Sequence, residues 1–474
     1  TLTVTFTAGA GTLAATDGAG VTVGGTSTAL TLTGTVAAIN TYLDTVGAIK
    51  YTSAADATGT GVTTIGVKAN DGAGSGDVDF GNMSVDVTGV NDAPTVAGVP
   101  ATVTVTEDSA SGLDLSAITF TDLDNGATLT VTFSAGAGTL AATGVTGVTV
   151  GGTGTGTLTL TGTVSAINTY LDTSGAIKYT SAANATGTGV TSIGVTANDA
   201  NGSGDVSLGS MSVNVTGVND APVLTPASPT LTGITEDATT NSGQTVDSIL
   251  GTSVTDADAS PVSGIAISGL ASGNGTWQYS IDSGANWVDV GTVSASSALL
   301  LKSTDKVRFV PNGENATTAS ISYHAWDQTG SGSSGSKVSV ASTGADTAFS
   351  TATDTASITV TAVNDAPTVT SGSTVTLTGT DEVTTSSGTV VSTMLTSAGY
   401  GDVDSGASSG IAITGLTGNG TWQYSIDGTT WKAIGSATGT AAVLLSSSSQ
   451  VRYVPDGNNG ETATLSFKAW DATT

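Results

Sequence analysis

The chain has 474 residues, with 38 Asp or Glu against 10 Lys or Arg, a formal charge of −28, one His and no Cys. That balance opposes nucleic-acid and anionic-membrane binding, and excludes disulfides, thiol nucleophiles and Cys-zinc sites. Gly is abundant without the every-third-residue period of collagen, only 10% of residues are charged, and no apolar run approaches the roughly 20 residues of a membrane helix.

The first residues, TLTVTF (1–6), alternate Thr with apolar residues, the pattern of a half-buried strand. A short helix is expected over 36–44, within which INTYLDT (39–45) begins, and AIKYTSAA (48–55) and a linker, VNDAP (90–94), follow. The same series then returns. LTVTF recurs at 129–133, INTYLDT at 167–173, AIKYTSAA at 176–183 and VNDAP at 218–222. The helix in this copy falls near 164–172, where Ile167 and Leu171 share a face and Thr163 can cap it.

Beyond 222 the pattern changes. TWQYSID (276–282) predicts a hairpin in which Trp277, Tyr279 and Ile281 alternate, with a turn around Asp282–Gly284 and then Trp287. VRFVP (307–311), YHAWD (323–327) and a third VNDAP (363–367) follow. TWQYSID returns at 421–427, VRYVP at 451–455 and FKAWD at 467–471. The linker Asp residues, 92, 220 and 365, are spaced 128 and 145 apart, so there are two repeat types. The expected domains are 1–94 and 95–222 (type A), then 223–367 and 368–474 (type B). Repeat 1–94 has no counterpart of 95–127, and 368–474 none of 331–367. Two readings fit: a window on a longer tandem array, or a subunit whose ends neighbours complete by strand addition. The expected fold class is all-β, a tandem array of β-sandwiches with one short helix in each type A repeat.

The acids recur at fixed places. The second repeat has Glu107-Asp108, Asp122-x-Asp124, Asn198-Asp199 and Asn219-Asp220. The third has Glu236-Asp237, Asp256-x-Asp258, Asp327 and Asn364-Asp365; the fourth keeps Asp381-Glu382, Asp402-x-Asp404 and Asp471; the first keeps Asp71 and Asn91-Asp92. Carboxylates gathered without bases repel unless a cation neutralises them, and Ca²⁺ takes six to eight oxygen ligands of this kind. Single Asp and Asn residues also form turns and caps, so each position alone has a second explanation.

The VNDAP linkers, and the Asp-x-Asp 30 residues after Asp92, make the chain resemble bacterial cadherin-like and Ig-like tandem repeats of giant secreted surface adhesins. TWQYSID…W…VRFVP…AWD is similar to a repeat common in such proteins. The resemblance covers essentially the whole chain. It implies sandwiches strung in an elongated rod, with Ca²⁺ at each inter-domain junction. Carried over, the first junction would use Asn91, Asp92, Asp122, Asp124 and Asp199. The second would use Asn219, Asp220, Asp256, Asp258 and Asp327, and the third Asn364, Asp365, Asp402, Asp404 and Asp471. Glu107 and Glu236 resemble the Glu that ends the first strand and serves the C-terminal junction. There is no Leu-Asp-Arg-Glu sequence, so one or two ions per junction are expected.

The implied function is a non-catalytic extracellular stalk or fibre segment of a bacterial surface or biofilm-matrix protein. Its partners would be neighbouring repeats, and possible contacts would include cell-surface or matrix glycans, with no nucleic acid and no membrane insertion. Two other classes fit: a self-assembling filament or S-layer-like subunit, and a carbohydrate-binding array using the six Trp (277, 287, 326, 422, 431, 470), whose strand positions otherwise suit core packing. No nucleophile–base–acid set recurs, so no catalytic residue is expected. His324 stands where the fourth repeat has Lys468 and reads as a surface strand residue.

Overall fold

The computed structural model describes residues 1–124, 126, 128–258, 261–330 and 332–473. It is almost entirely β, and it divides into two compact bodies, Thr1–Val218 and Asn219–Thr474.

In the first body the Thr-rich alternation becomes burial alternation. Leu129, Val131 and Phe133 are fully buried while the intervening Thr residues face outward, because successive strand side chains point to opposite sides. Strand Thr128–Ala135 sits inside a six-stranded sheet. Its order is Val148–Gly151, Thr157–Thr163, Thr128–Ala135, Gly187–Asn198, Val206–Thr216 and Thr102–Thr106. A three-stranded sheet closes the sandwich through Leu140, Ile177 and Tyr179, which join the same core. All pairings in the sheet are antiparallel except the last, where Val206–Thr216 and Thr102–Thr106 run parallel. Residues 1–87 repeat this plan in a five-stranded sheet that ends at strand Val78–Val87.

The expected helices form at Val36–Leu43 and Val164–Leu171. Thr35 and Thr163 accept the amides of Ala38 and Ala166, satisfying one free N–H at each helix start. Ile167, Tyr170 and Leu171 face the core.

The second body holds two further sandwiches. One sheet runs Ile234–Thr235, Phe349–Thr361, Thr317–Trp326, Gly264–Ala271, Ala298–Lys302 and Lys337–Val338. Its partner sheet contains the hairpin, Gly275–Ser280 pairing with Val288–Asp289. Trp277 and Trp326 are fully buried, whereas Ile281 turns out to solvent at the hairpin tip. Residues beyond 388 reproduce the four-stranded sheet and three strands of the larger one, Val443–Ser446, Gly410–Leu416 and Leu465–Trp470.

One expectation needs correction. The sequence predicts a short helix only in the type A repeats, and the type B repeats have one as well as their hairpin. Val246–Leu250 and Val391–Ser397 are short helices, the first capped by Thr245 and both burying apolar residues. At five and seven residues they are too short to show helical periodicity in sequence. His324 is half-buried, with Nδ1 2.8 Å from the Ser350 carbonyl oxygen, rather than a free surface residue.

Candidate metal centres in the acidic clusters

The linker and loop residues singled out in the sequence do meet, through one recurring set of hydrogen bonds. In the first body, Asn91 Nδ2 donates to Asp199 Oδ2 at 2.9 Å. The Asp92 amide donates to Asp124 Oδ2, and the Asp124 amide to Asp122 Oδ1, each at 2.9 Å. In the second body Asn364 Nδ2 reaches Asp471 Oδ2 at 2.7 Å, the Asp365 amide reaches Asp404 Oδ2 at 2.8 Å, and the Asp404 amide reaches Asp402 Oδ1 at 3.0 Å. The middle set shares two of these contacts: Asn219 Nδ2 to Asp327 Oδ2 at 2.9 Å, and the Asp258 amide to Asp256 Oδ1 at 2.9 Å.

Each contact follows from local chemistry. An Asp-x-Asp loop folds back because the first carboxylate accepts the amide two residues on, which leaves its second oxygen aimed elsewhere. The linker Asn uses its amide group as a donor, fixing the late Asp. That Asp is itself buried and tied to its own turn, Asp199 by the Asn201 amide and Ser203 Oγ, Asp327 by Thr329, and Asp471 by Thr473. These donors hold the Asp199 carboxyl below its usual range and bring Asp471 down to about 2.

The oxygens left over are informative. Asn91 Oδ1, Asp122 Oδ2, Asp256 Oδ2 and Asp365 Oδ2 are buried without a hydrogen-bond partner, as are Glu107 Oε1 and Glu236 Oε2. Burying an unpaired carboxylate oxygen is costly, so such atoms call for a counter-group. Burial also raises the carboxyls of Asp256 and Asp365 above their usual range, reinforced in Asp365 by Asp404, Asp237, Glu236 and Asp402.

The tightest convergence involves Glu236, Asp365 and Asp404, each of which puts one carboxylate oxygen within 4.8 Å of the others. Glu236 is fully buried. One of its oxygens accepts the Val363 amide at 2.7 Å, and the other is unpartnered. Glu107 makes the equivalent bond to the Val218 amide at 3.3 Å. The donors are all oxygens, without His or Cys, which suits a hard divalent cation rather than zinc or copper.

Several contributors escaped the sequence reading. Tyr400 donates to Asp402 Oδ2 at 3.1 Å, and burial with this contact pushes its hydroxyl up to about 12. Asn315, notable in sequence only as part of an Asn-x-Thr triplet, uses its whole side-chain amide on the Asp402 loop. Its Nδ2 donates to the Val403 carbonyl at 2.9 Å and its Oδ1 accepts the Ser405 amide at 2.8 Å. The Thr two residues after Asp327 and Asp471 was the one legible signal for the turn donors. Asp71, by contrast, accepts from its own turn, at the Ala73 amide and Ser75 Oγ.

No protein-family model matches the sequence, and no curated protein does. Among solved structures, the chain is similar to human mucin-like protocadherin EC1-2 at 13% identity, over 56% of this chain and 98% of that one, with a TM-score of 0.27. It is similar to Drosophila N-cadherin EC1-4 at 13% identity, over 74% and 66%, with a TM-score of 0.27. It is similar to zebrafish RET cadherin-like domains 1 to 4 at 13% identity, over 76% and 66%, with a TM-score of 0.17. Among the described residues no helix is long and apolar enough to cross a membrane.

Proposed function

We propose that the chain is a non-catalytic, extracellular stalk or fibre segment of a bacterial surface protein, in which Ca²⁺ stiffens the connections between neighbouring repeats. The observation that carries this reading is the pair of buried, unpartnered oxygens Glu236 Oε2 and Asp365 Oδ2 beside Asp404. Glu236 belongs to the start of one sandwich, Asp365 to the VNDAP linker and Asp404 to a loop of the next. A cation there supplies positive charge and coordination positions for six to eight oxygens. The protein's own residues do the rest. The Val363 amide orients Glu236, and Asn364 holds Asp471. Asn315 pins the loop that carries Asp402 and Asp404. Uncompensated, these carboxylates repel one another and favour an open, mobile linker. Asn91, Asp92, Asp122, Asp124 and Asp199 repeat the linker and loop hydrogen bonds of this set in the first body, without a counterpart of Glu236.

Small-angle scattering tests this. The distribution of interatomic distances is expected to narrow in millimolar Ca²⁺ relative to EDTA. Replacing Asp122 and Asp124 together by Asn keeps their volume, removes two charges and is expected to reduce that response. Identical profiles in Ca²⁺ and EDTA for the unaltered chain defeat the reading.

A further inference from the structure

The three acidic sets carry different residues two positions before their Asp-x-Asp. Phe120 precedes Asp122, Val254 precedes Asp256 and Tyr400 precedes Asp402. In all three the first Asp spends Oδ1 on the amide two residues on, at 2.9, 2.9 and 3.0 Å. The difference lies in the other oxygen. Asp122 Oδ2 and Asp256 Oδ2 are buried without a partner, and neither Phe nor Val has a side-chain proton to give them. Asp402 Oδ2 is already taken, by the Tyr400 hydroxyl at 3.1 Å.

That hydroxyl is held in place. Tyr400 is half-buried against the core of the last sandwich, and its amide donates at 3.0 Å to the Leu395 carbonyl of helix Val391–Ser397. The hydroxyl has one proton to donate. Its alternative acceptor, the Ser408 carbonyl, stands 3.5 Å away, at the outer limit of a hydrogen bond. A hydroxyl bonded to a carboxylate makes a charge-assisted contact, roughly twice as strong as a neutral one. A cation that recruits Asp402 Oδ2 competes with that bond. One that recruits Asp122 Oδ2 or Asp256 Oδ2 meets no such competitor.

The third set converges elsewhere. Its unpartnered Asp oxygen lies on the linker, at Asp365 Oδ2. The three carboxylates that meet within 4.8 Å are Glu236, Asp365 and Asp404, and Asp402 contributes none of those oxygens.

We propose, on the calcium reading above, that Tyr400 sets the affinity of the third cluster by withholding Asp402 from the cation. Glu236, Asp365 and Asp404 supply the side-chain ligands, and Asp402 serves to hold its loop through the Asp404 amide. With one carboxylate fewer in the coordination shell, this cluster fills at a higher Ca²⁺ concentration than it does once the hydroxyl is removed. The natural comparison is Phe120, which has the ring and lacks the hydroxyl.

Amide hydrogen exchange over 400–408, read in the full chain as Ca²⁺ is raised from EDTA conditions, reports this cluster separately from the other two. The concentration giving half-protection is expected to fall at least threefold in Tyr400→Phe. Asp402→Asn and the double variant Tyr400→Phe with Asp402→Asn are expected to share one midpoint, because the gain depends on the freed carboxylate. Asp402→Asn keeps Tyr400, and dialysis is expected to find as many ions bound to it as to the unaltered chain, so the outcome does not depend on how well Tyr400→Phe folds. An unchanged or raised midpoint in Tyr400→Phe overturns the proposal and leaves the calcium reading standing. So does an equal gain when Asp402→Asn is present, or one ion fewer in Asp402→Asn alone. No Ca²⁺-dependent protection in the unaltered chain overturns both.

Discussion

Replacing Trp277 by Ala is expected to destabilise its sandwich by about 3–5 kcal/mol, the cost of deleting a fully buried aromatic side chain. Trp277 packs edge-on against Phe309 with centroids 5.3 Å apart, and its Nε1 donates to the Ala271 carbonyl at 3.2 Å. The substitution therefore opens a cavity and also orphans an acceptor. Trp287 is the useful contrast. It is half-buried, with the Arg308 guanidinium 4.2 Å over its ring, and Trp431 has Arg452 at 4.0 Å. Arg308 is in turn fixed by Gln278 and the Asn241 carbonyl. One face of each ring is thus already taken. Trp287→Ala is expected to cost roughly 1–2 kcal/mol, the cation–π contact plus partial burial. Urea unfolding of the two variants checks this, and equal midpoints would contradict the packing assigned here.

Calcium is expected to raise the melting temperature of the chain. At a ligand concentration of about 100 times Kd, one bound ion adds about 2.7 kcal/mol. Extracellular calcium modules bind at roughly 0.1–1 mM, so about 10 mM Ca²⁺ reaches that regime at the tighter end. For a body the size of Asn219–Thr474 this corresponds to roughly 5–10 °C per ion. The same concentration of Mg²⁺ is expected to do less, because it demands a regular octahedron and gives up water reluctantly. A calorimetric scan in Ca²⁺, Mg²⁺ and EDTA distinguishes these outcomes. Equal shifts with both cations would point to general charge screening.

Much of the fold was legible because it depends on local periodicity. Thr-apolar alternation marked Leu129, Val131 and Phe133 as core, and Thr163 before an Ile167–Leu171 face marked the helix. The helices at Val246 and Val391 were missed because one or two turns carry too little pattern. The acidic sites were legible as sets, since Asn91 does meet Asp199 and Asp365 does meet Asp404. The donors that hold them were not, because Tyr400 and Asn315 reach the Asp402 loop from positions with no fixed spacing to it. Asp354 is another case. It lies in phase with the buried row Ala356, Ile358 and Val360, and it accepts the Ala227 and Ser228 amides from more than a hundred residues away. The charge itself divides in two. Asp282 and Asp427 close their hairpin turns, with the Asp282 carboxyl lowered to about 2 by the Asn286 amide and Ser280. The unpartnered oxygens concentrate in the linker clusters and on Glu107 and Glu236.

Calcium binding by those clusters, as proposed, is measured by equilibrium dialysis against radiolabelled Ca²⁺. The comparison is between the unaltered chain and one carrying Glu236→Gln, Asp365→Asn and Asp404→Asn, both verified as folded by circular dichroism. Saturable binding below about 10 mM is expected, with at least one ion fewer bound per chain in the triple variant. Binding that never saturates, or an unchanged number of bound ions in the variant, contradicts it.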